Sequence, residues 1–181
     1  MSTIDRNRLK EIVIERSILR GKFTLASGKE SDYYIDARLS TLHAEGVYLI
    51  AKLMLEEILK DGDINAVGGP TMGADPIVGS LLALSHDLGT SLGGFLVRKE
   101  EKGHGTGKLI EGNLKSGDKV AMVEDVVTTG GSVIKAINAV RDEGAEVNKL
   151  LVVVDRQEGA KQKFEDMGIE LFSIFQISEL L

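Results

Sequence analysis

The sequence predicts one α/β domain: a parallel sheet with helices on both faces, preceded by a small N-terminal hairpin. Three observations carry that expectation. From Ile64 onward, short apolar runs of strand type alternate with stretches of helical periodicity. The strand runs are almost continuously apolar, as strands covered on both faces must be. The glycine-rich and charged segments fall at the ends of such runs, where open α/β sheets bind their ligands.

At the N-terminus, Leu9, Ile12 and Val13 share one side of a short amphipathic helix over Thr3–Arg16, and Gly21 closes that region. Phe23–Asp36 has two β-prone halves around Ser27-Gly28 and reads as a hairpin. A long helix follows over Ala44–Lys60, its stripe formed by Val47, Ile50, Ala51, Met54 and Ile58, and Asp61-Gly62-Asp63 stops it. Ile64–Val67 is a short buried-type strand leading into Gly68–Gly73. The next helix carries Ile77, Leu81, Leu84 and Leu88 at helical spacing.

Gly93–Val97 is again a strand, followed by Arg98–Lys108, charged, glycine-rich and without periodicity. So long a structureless stretch in a compact domain is usually either functional or disordered. Lys119–Asp125 is a strand and Ser132–Glu143 a helix burying Val133, Ala136, Ile137 and Val140, with Gly144 as its cap. Leu150–Val154 is the most hydrophobic strand. A helix with Ala160, Phe164 and Met167 and a last strand at Leu171–Phe175 complete the chain.

Composition narrows the function. The 181 residues are 43% hydrophobic, enough for one domain with a real core. Without cysteine there are no disulfides or thiolate metal sites, and a reducing, cytoplasmic setting is expected. No apolar run approaches a membrane span, and the first residues are polar and charged, so neither a membrane nor a signal peptide is expected. Acids outnumber bases 28 to 22, aromatics are 4% and tryptophan is absent, which argues against a nucleic-acid partner.

The chemistry concentrates in Val123–Ser132. Glu124 and Asp125 end a buried strand, and Thr128, Thr129, Gly130, Gly131 and Ser132 then open a helix. Glycines let successive backbone N–H groups converge, and the helix N-terminus adds partial positive charge. The hydroxyls of Thr128, Thr129 and Ser132 supply further donors, making a cradle for a phosphate monoester. The two acids suit sugar hydroxyls, held directly or through Mg²⁺. Alone, Thr128–Ser132 fits an ordinary strand-to-helix turn with Ser132 as N-cap equally well. The paired acids on an apolar strand tip the reading to a sugar phosphate. No GxxxxGK[ST] run is present, and Gly103–Gly107 lacks dinucleotide-loop spacing.

The segment Val123–Ser132 resembles the ribose-phosphate signature of the type I phosphoribosyltransferases. Phe23–Gly28, Arg98–His104 and Asp155-Arg156 narrow the resemblance to the orotate phosphoribosyltransferase family, in the same order over nearly the whole chain. The resemblance implies a type I phosphoribosyltransferase core over residues 41–181 with a mobile loop 98–112. Residues 1–40 then form a helix and a hood hairpin, all within one domain spanning 1–181. It also implies a Mg²⁺-dependent pentosyl transfer in pyrimidine (UMP) biosynthesis. Orotate and 5-phospho-α-D-ribose 1-diphosphate become orotidine 5′-monophosphate and pyrophosphate, through a transition state resembling an oxocarbenium ion.

By the same resemblance Lys102 is the main catalytic lysine, with His104 beside it. The diphosphate sugar is held by Arg98, Lys99, Lys102, His104 and the run Glu124, Asp125, Val126, Val127, Thr128, Thr129, Gly130, Gly131 and Ser132. Thr128 and Arg156 bind orotate, the arginine through the carboxylate; a salt bridge from Arg156 to Asp155 or Glu158 is the rival reading. Mg²⁺ is held mainly by substrate, near Glu124 and Asp125, which act as ribose ligands and not as general bases. Glycines at 103, 105, 107 and 112 make the loop a lid over the oxocarbenium site. Part of it reaches the active site of a partner subunit in a homodimer. Tyr34 and Ile35 are candidate apolar contacts for the base, and His43 and His86 are structural or surface residues. Two positions depart from the family pattern: Ala26 and Met72 stand where many members carry lysine, which shifts the handling of pyrophosphate to the lid and Mg²⁺.

Two rival functions remain open at this stage. One is transfer to a purine or uracil. The other is a regulator that senses the diphosphate sugar, although no segment supplies a DNA-binding face.

Overall fold

The computed structural model describes residues 2–24, 30–100 and 108–181. Helix α1 (Thr3–Ser17) starts at Ser2, whose hydroxyl accepts the Asp5 amide hydrogen, and it buries Leu9, Ile12 and Val13 as the periodicity predicts. The chain then passes directly into β1 (Ile18–Thr24), paired antiparallel with β2 (Glu30–Ile35). The hairpin therefore begins at Ile18, ahead of Phe23. Gly21 does not close the helical region; it lies inside β1 at φ 151°, within an irregularity between Arg20 and Phe23. A helix that enters a strand without an intervening turn leaves no punctuation in the sequence, so the boundary is invisible there.

A single turn, α2 (Arg38–Thr41), leads to α3 (Ala44–Asp61). His43 caps α3 by accepting the Gly46 N–H on Nδ1, which settles its structural role, and Gly62 ends the helix in the left-handed region at φ 71°. The buried face of α3 is wider than the predicted stripe: it adds Leu49, Leu53 and Leu55, while Val47 is only partly covered. The cause is tertiary, because α3 packs against α1, α2 and α4 (Ala74–Asp87) as well as against the sheet.

The central sheet holds β3 (Ala66–Pro70), β4 (Gly93–Val97), β5 (Ile110–Gly112), β6 (Lys119–Val127), β7 (Glu146–Asp155) and β8 (Glu170–Gln176), in the order β5-β4-β3-β6-β7-β8. Every neighbouring pair is parallel except β4 and β5. Together with α5 (Gly131–Asp142) and α6 (Ala160–Asp166), the helices cover both faces. Ile50, Met54, Ile77 and Leu81 pack with Val67, Val123 and Val153 on one side. Val133, Ile137 and Phe164 pack with Met122, Leu150 and Val152 on the other. Met122 and Val123 thus serve opposite cores, as the two-residue repeat of a strand requires. The expected α/β architecture is the one observed.

Four local expectations change. Ile64 precedes its strand, which starts at Ala66. Leu88 is not part of a buried stripe but follows the end of α4, 62% exposed. The strand expected to stop at Asp125 continues to Val127. Gly112 is not a lid glycine: it sits in β5 at φ 117°, and a Cβ there would lie 2.5 Å from the Gly94 carbonyl oxygen. The stretch 98–112 therefore narrows, since 110–112 are hydrogen-bonded sheet. Among the described residues no helix is long and apolar enough to cross a membrane.

The topology fixes where a ligand goes. The chain steps outward from β3 to β4 and β5, then returns to lay β6 on the other side of β3. The strand order reverses there, which opens a crevice beyond the carboxyl ends of β3 and β6.

Candidate active site

A cavity of about 1100 Å³ lies over that crevice. Its floor is Glu124 and Asp125, in the last residues of β6. Glu124 Oε1 accepts the Asp125 amide hydrogen at 3.1 Å, and Asp125 Oδ1 accepts that of Val126 at 2.7 Å. The strand itself thus orients both carboxylates. Glu124 is 8% exposed. Burial, then the adjacent Asp125 charge, pushes it up to about 9, with a hydrogen bond to Asp125 and the Asp75 charge acting the same way. Burial and the neighbouring Asp125 charge thus favour the protonated form of Glu124 in the ligand-free protein. An acid pair that shares a proton offers a sugar diol both donors and acceptors.

The wall beside it is Pro70–Gly73, between β3 and α4. Gly69 and Gly73 allow the close approach. A Cβ on Gly69 would lie 2.0 Å from the Val123 carbonyl oxygen, and one on Gly73 would lie 2.0 Å from Glu124 Oε1 and 2.6 Å from Asp125 Oδ1. The Thr71–Met72 peptide is cis, and the Thr71 amide donates to the Val97 carbonyl at 2.9 Å. Met72 lines the cavity 67% exposed and brings no charge.

On the opposite wall α5 begins. Gly131, Ser132 and Lys135 face the cavity, and the amides of the first turn have no partner within the helix. Gly130 takes φ 81° and packs so closely on Phe164 that a Cβ would come within 2.8 Å of the ring. Lys163 Nζ donates to the Thr129 carbonyl at 3.0 Å, so α6 fastens the outer side of the turn. Val127, Thr128, Thr129 and Gly130 stand outside the cavity lining, whereas Val126, Gly131 and Ser132 are in it.

Cations stand at the rim. Arg98 and Lys99 follow β4 and line the cavity, with the Arg98 Nε buried and without a partner and its Nη1 3.9 Å from Glu111. Across from them, Arg38 also lines it and spreads two N–H groups onto Asp36 at 2.8 and 2.9 Å, which holds the Asp36 carboxyl below the usual carboxylate range. Tyr34 and Ile35, at the end of β2, line the cavity as well. Lys102 and His104, and Ala26 in the hood, lie outside the described residues.

Arg156 is not among the cavity-lining residues. Its amide donates to the Val127 carbonyl at 2.9 Å, its Nη2 is 3.0 Å from Glu158, and its guanidinium lies 5.6 Å from the Tyr33 ring centre. The salt bridge to Glu158, the rival reading of Arg156, is thus present in the ligand-free chain.

Arg38, Asp36 and Lys135 carry no site signal of their own in the sequence, while Gly73 is marked there only as the end of the glycine-rich segment Gly68–Gly73. They come from the end of the hairpin, a loop and a helix face that only folding brings together, and Lys135 stands one turn beyond Gly131. Among the described residues no group of three His, Asp or Glu is gathered to hold a metal ion. Glu124 and Asp125 still fit Mg²⁺, which keeps several waters and takes one or two carboxylates beside substrate phosphates.

An acid pair at a strand end, a helix N-terminus and cations at the rim are the groups that a sugar phosphate needs. The family model described as a phosphoribosyl transferase domain matches residues 39–174. The orotate phosphoribosyltransferase of Aquifex aeolicus is 44% identical over the full length of both chains. A crystal structure of the Mycobacterium tuberculosis orotate phosphoribosyltransferase superposes with a TM-score of 0.85 at 42% identity, covering 97% of this chain and 98% of that one. A second structure of that enzyme, in complex with 5-phospho-α-D-ribosyl 1-diphosphate, gives 0.81 at 39% identity, with 97% and 98% covered. The chain belongs to the phosphoribosyltransferase family, and within it to the orotate phosphoribosyltransferases.

Proposed function

We propose that the cavity over β3 and β6 transfers the phosphoribosyl group of 5-phospho-α-D-ribose 1-diphosphate to orotate, in pyrimidine (UMP) biosynthesis. The carrying observation is the Glu124–Asp125 pair on the floor, faced by the α5 N-terminus and a cationic rim. The sugar C1–O bond to the diphosphate breaks, a C1–N1 bond to orotate forms as N1 gives up its proton to the departing diphosphate or to solvent, and orotidine 5′-monophosphate and pyrophosphate leave. The amides and hydroxyls around Thr128–Ser132 take the 5-phosphate. Glu124 and Asp125 take the ribose hydroxyls and place negative charge beneath the developing sugar cation.

Arg98, Lys99, Lys102 and His104 receive the departing diphosphate, with Lys102 acting chiefly in the transition state. Mg²⁺, when bound, neutralises charge on the diphosphate. Met72 gives the Pro70–Gly73 wall no cation, which leaves that work to the lid and the rim. Thr128 and Arg156 take the orotate, and Tyr34 and Ile35 cover it.

The direct test is pyrophosphate release from the diphosphate sugar with orotate, uracil or guanine as acceptor, with and without Mg²⁺. Release with orotate and Mg²⁺ is expected; release with uracil or guanine but not orotate would overturn the acceptor assignment.

The lid is proposed to act across a homodimer. Lys102→Ala is expected to lower turnover far more than affinity for the diphosphate sugar. Mixed dimers of Lys102→Ala with Asp125→Asn subunits should regain part of the activity. Verified mixed dimers that stay inactive would show that each subunit completes its own site.

A further inference from the structure

Arg156 is held more firmly than a surface arginine needs to be. Its side chain is 13% exposed, its amide is tied to β6 through the Val127 carbonyl, and its guanidinium pairs with Glu158 at 3.0 Å and lies over the Tyr33 ring, 5.6 Å from its centre. Gln157, at φ 58°, donates its amide hydrogen to Asp155 Oδ1 at 2.8 Å, and its side chain bonds Gln176 at 3.2 Å, which fixes the segment that presents Glu158. The Arg156 Nε is nevertheless buried with no partner among the described residues. A guanidinium has five donors, and a buried one left unused calls for an acceptor.

Tyr33 is itself fixed. It pairs with Arg20 across the hairpin, its carbonyl accepts the Ser31 hydroxyl at 2.7 Å, and it packs against the main core. Its ring is a rigid surface for the flat guanidinium.

We propose that Tyr33 is a positioning residue: it gives the Arg156 guanidinium a flat face to lie on, so that its free donors meet the substrate carboxylate at a set angle. The hood then contributes to acceptor choice through this arginine as well as by covering the base. The inference rests on the assignment of Arg156 to the orotate carboxylate. Glu158 holds one edge of the guanidinium, the ring holds one face, and the remaining donors are left for the ligand.

The test compares Tyr33→Leu and Tyr33→Phe in the full chain, each alone and with Arg156→Ala, by steady-state kinetics in both substrates. Tyr33→Leu is expected to raise KM for orotate about tenfold and leave KM for the diphosphate sugar unchanged. Tyr33→Phe keeps the ring and should stay within about twofold of the parent, a rescue that a role for the hydroxyl would not allow. In the Arg156→Ala background Tyr33→Leu should add almost nothing, since the group it positions is gone. A full tenfold loss persisting there, or equal rises in both KM values, would overturn the positioning role. If Arg156→Ala itself leaves KM for orotate unchanged, the carboxylate assignment fails first, and the two failures are told apart. Should Tyr33→Leu fold poorly, Tyr33→Ile, whose branched side chain suits a strand, repeats the comparison.

Discussion

Gly73→Ala is expected to lower kcat by about 100-fold while the protein still folds. The backbone at Gly73 is ordinary, with φ −60° and ψ −41°, so alanine meets no conformational penalty. The obstacle is space: the new Cβ would stand 2.0 Å from Glu124 Oε1 and 2.9 Å from Asp125 Cγ. Both carboxylates are tied to amides of their own strand, so neither can yield without breaking a hydrogen bond. The variant thus displaces the acid pair proposed to hold the ribose without altering a polar atom, at a stability cost of about 1–3 kcal/mol. Gly79→Ala is the control. That residue lies in the same helix region with nothing within 4 Å of its Cβ, and alanine there should stabilise by about 0.5–1 kcal/mol with full activity. Steady-state rates and thermal melts of both variants decide the matter; near-parent turnover in Gly73→Ala would remove the steric argument.

Glu124→Gln is expected to act in opposite directions on stability and on turnover. Burial raises the folded-state pKa of Glu124 to about 9, above its ordinary value of 4.5. Below that ordinary value both folded and unfolded chains carry the proton, and the group costs nothing. As pH rises, the unfolded chain ionises while the folded one cannot, so the penalty grows until the folded group also ionises near pH 9. Glutamine donates to Asp125 as the protonated acid does but never ionises. The ligand-free variant should therefore match the parent near pH 4 and exceed it at pH 7 by about 3 kcal/mol, some 6–12 °C in Tm. Turnover should fall by about 100-fold, because the amide, unlike the acid, cannot give up its proton and become an anion as positive charge develops on the sugar. A Tm difference that does not change between pH 4 and pH 8 would refute the protonated state of Glu124.

Both predictions depend on features that differ in how readily the sequence discloses them. The strands and helices beyond Ile64 were legible because their signal is local: an apolar run or a 3.6-residue repeat stays within one segment. The start of β1 was not, since α1 passes into it with no turn residue between. The end of β6 was misplaced at Asp125 because acids ordinarily mark exposure. Here the strand continues through them, with Glu124 buried against Gly73 and Asp75 nearby. Gly112 looked like a hinge by composition; the Gly94 carbonyl that leaves no room for a Cβ there lies on another strand.

By itself, the sequence determined the alternating α/β order, the turn over Val123–Ser132 and the acid pair that precedes it. Turn chemistry, capping and periodicity act between residues a few positions apart, so they survive in the linear text. Only the tertiary structure decided that Gly73 presses on Glu124, that Arg38 faces the cavity from the hood side, and that Arg156 lies on Tyr33. It also decided the protonation of Glu124. Each of these depends on which segments the sheet order brings together, and on how far water is excluded where they meet. Packing and desolvation are properties of the assembled chain, with no counterpart in any one stretch of it.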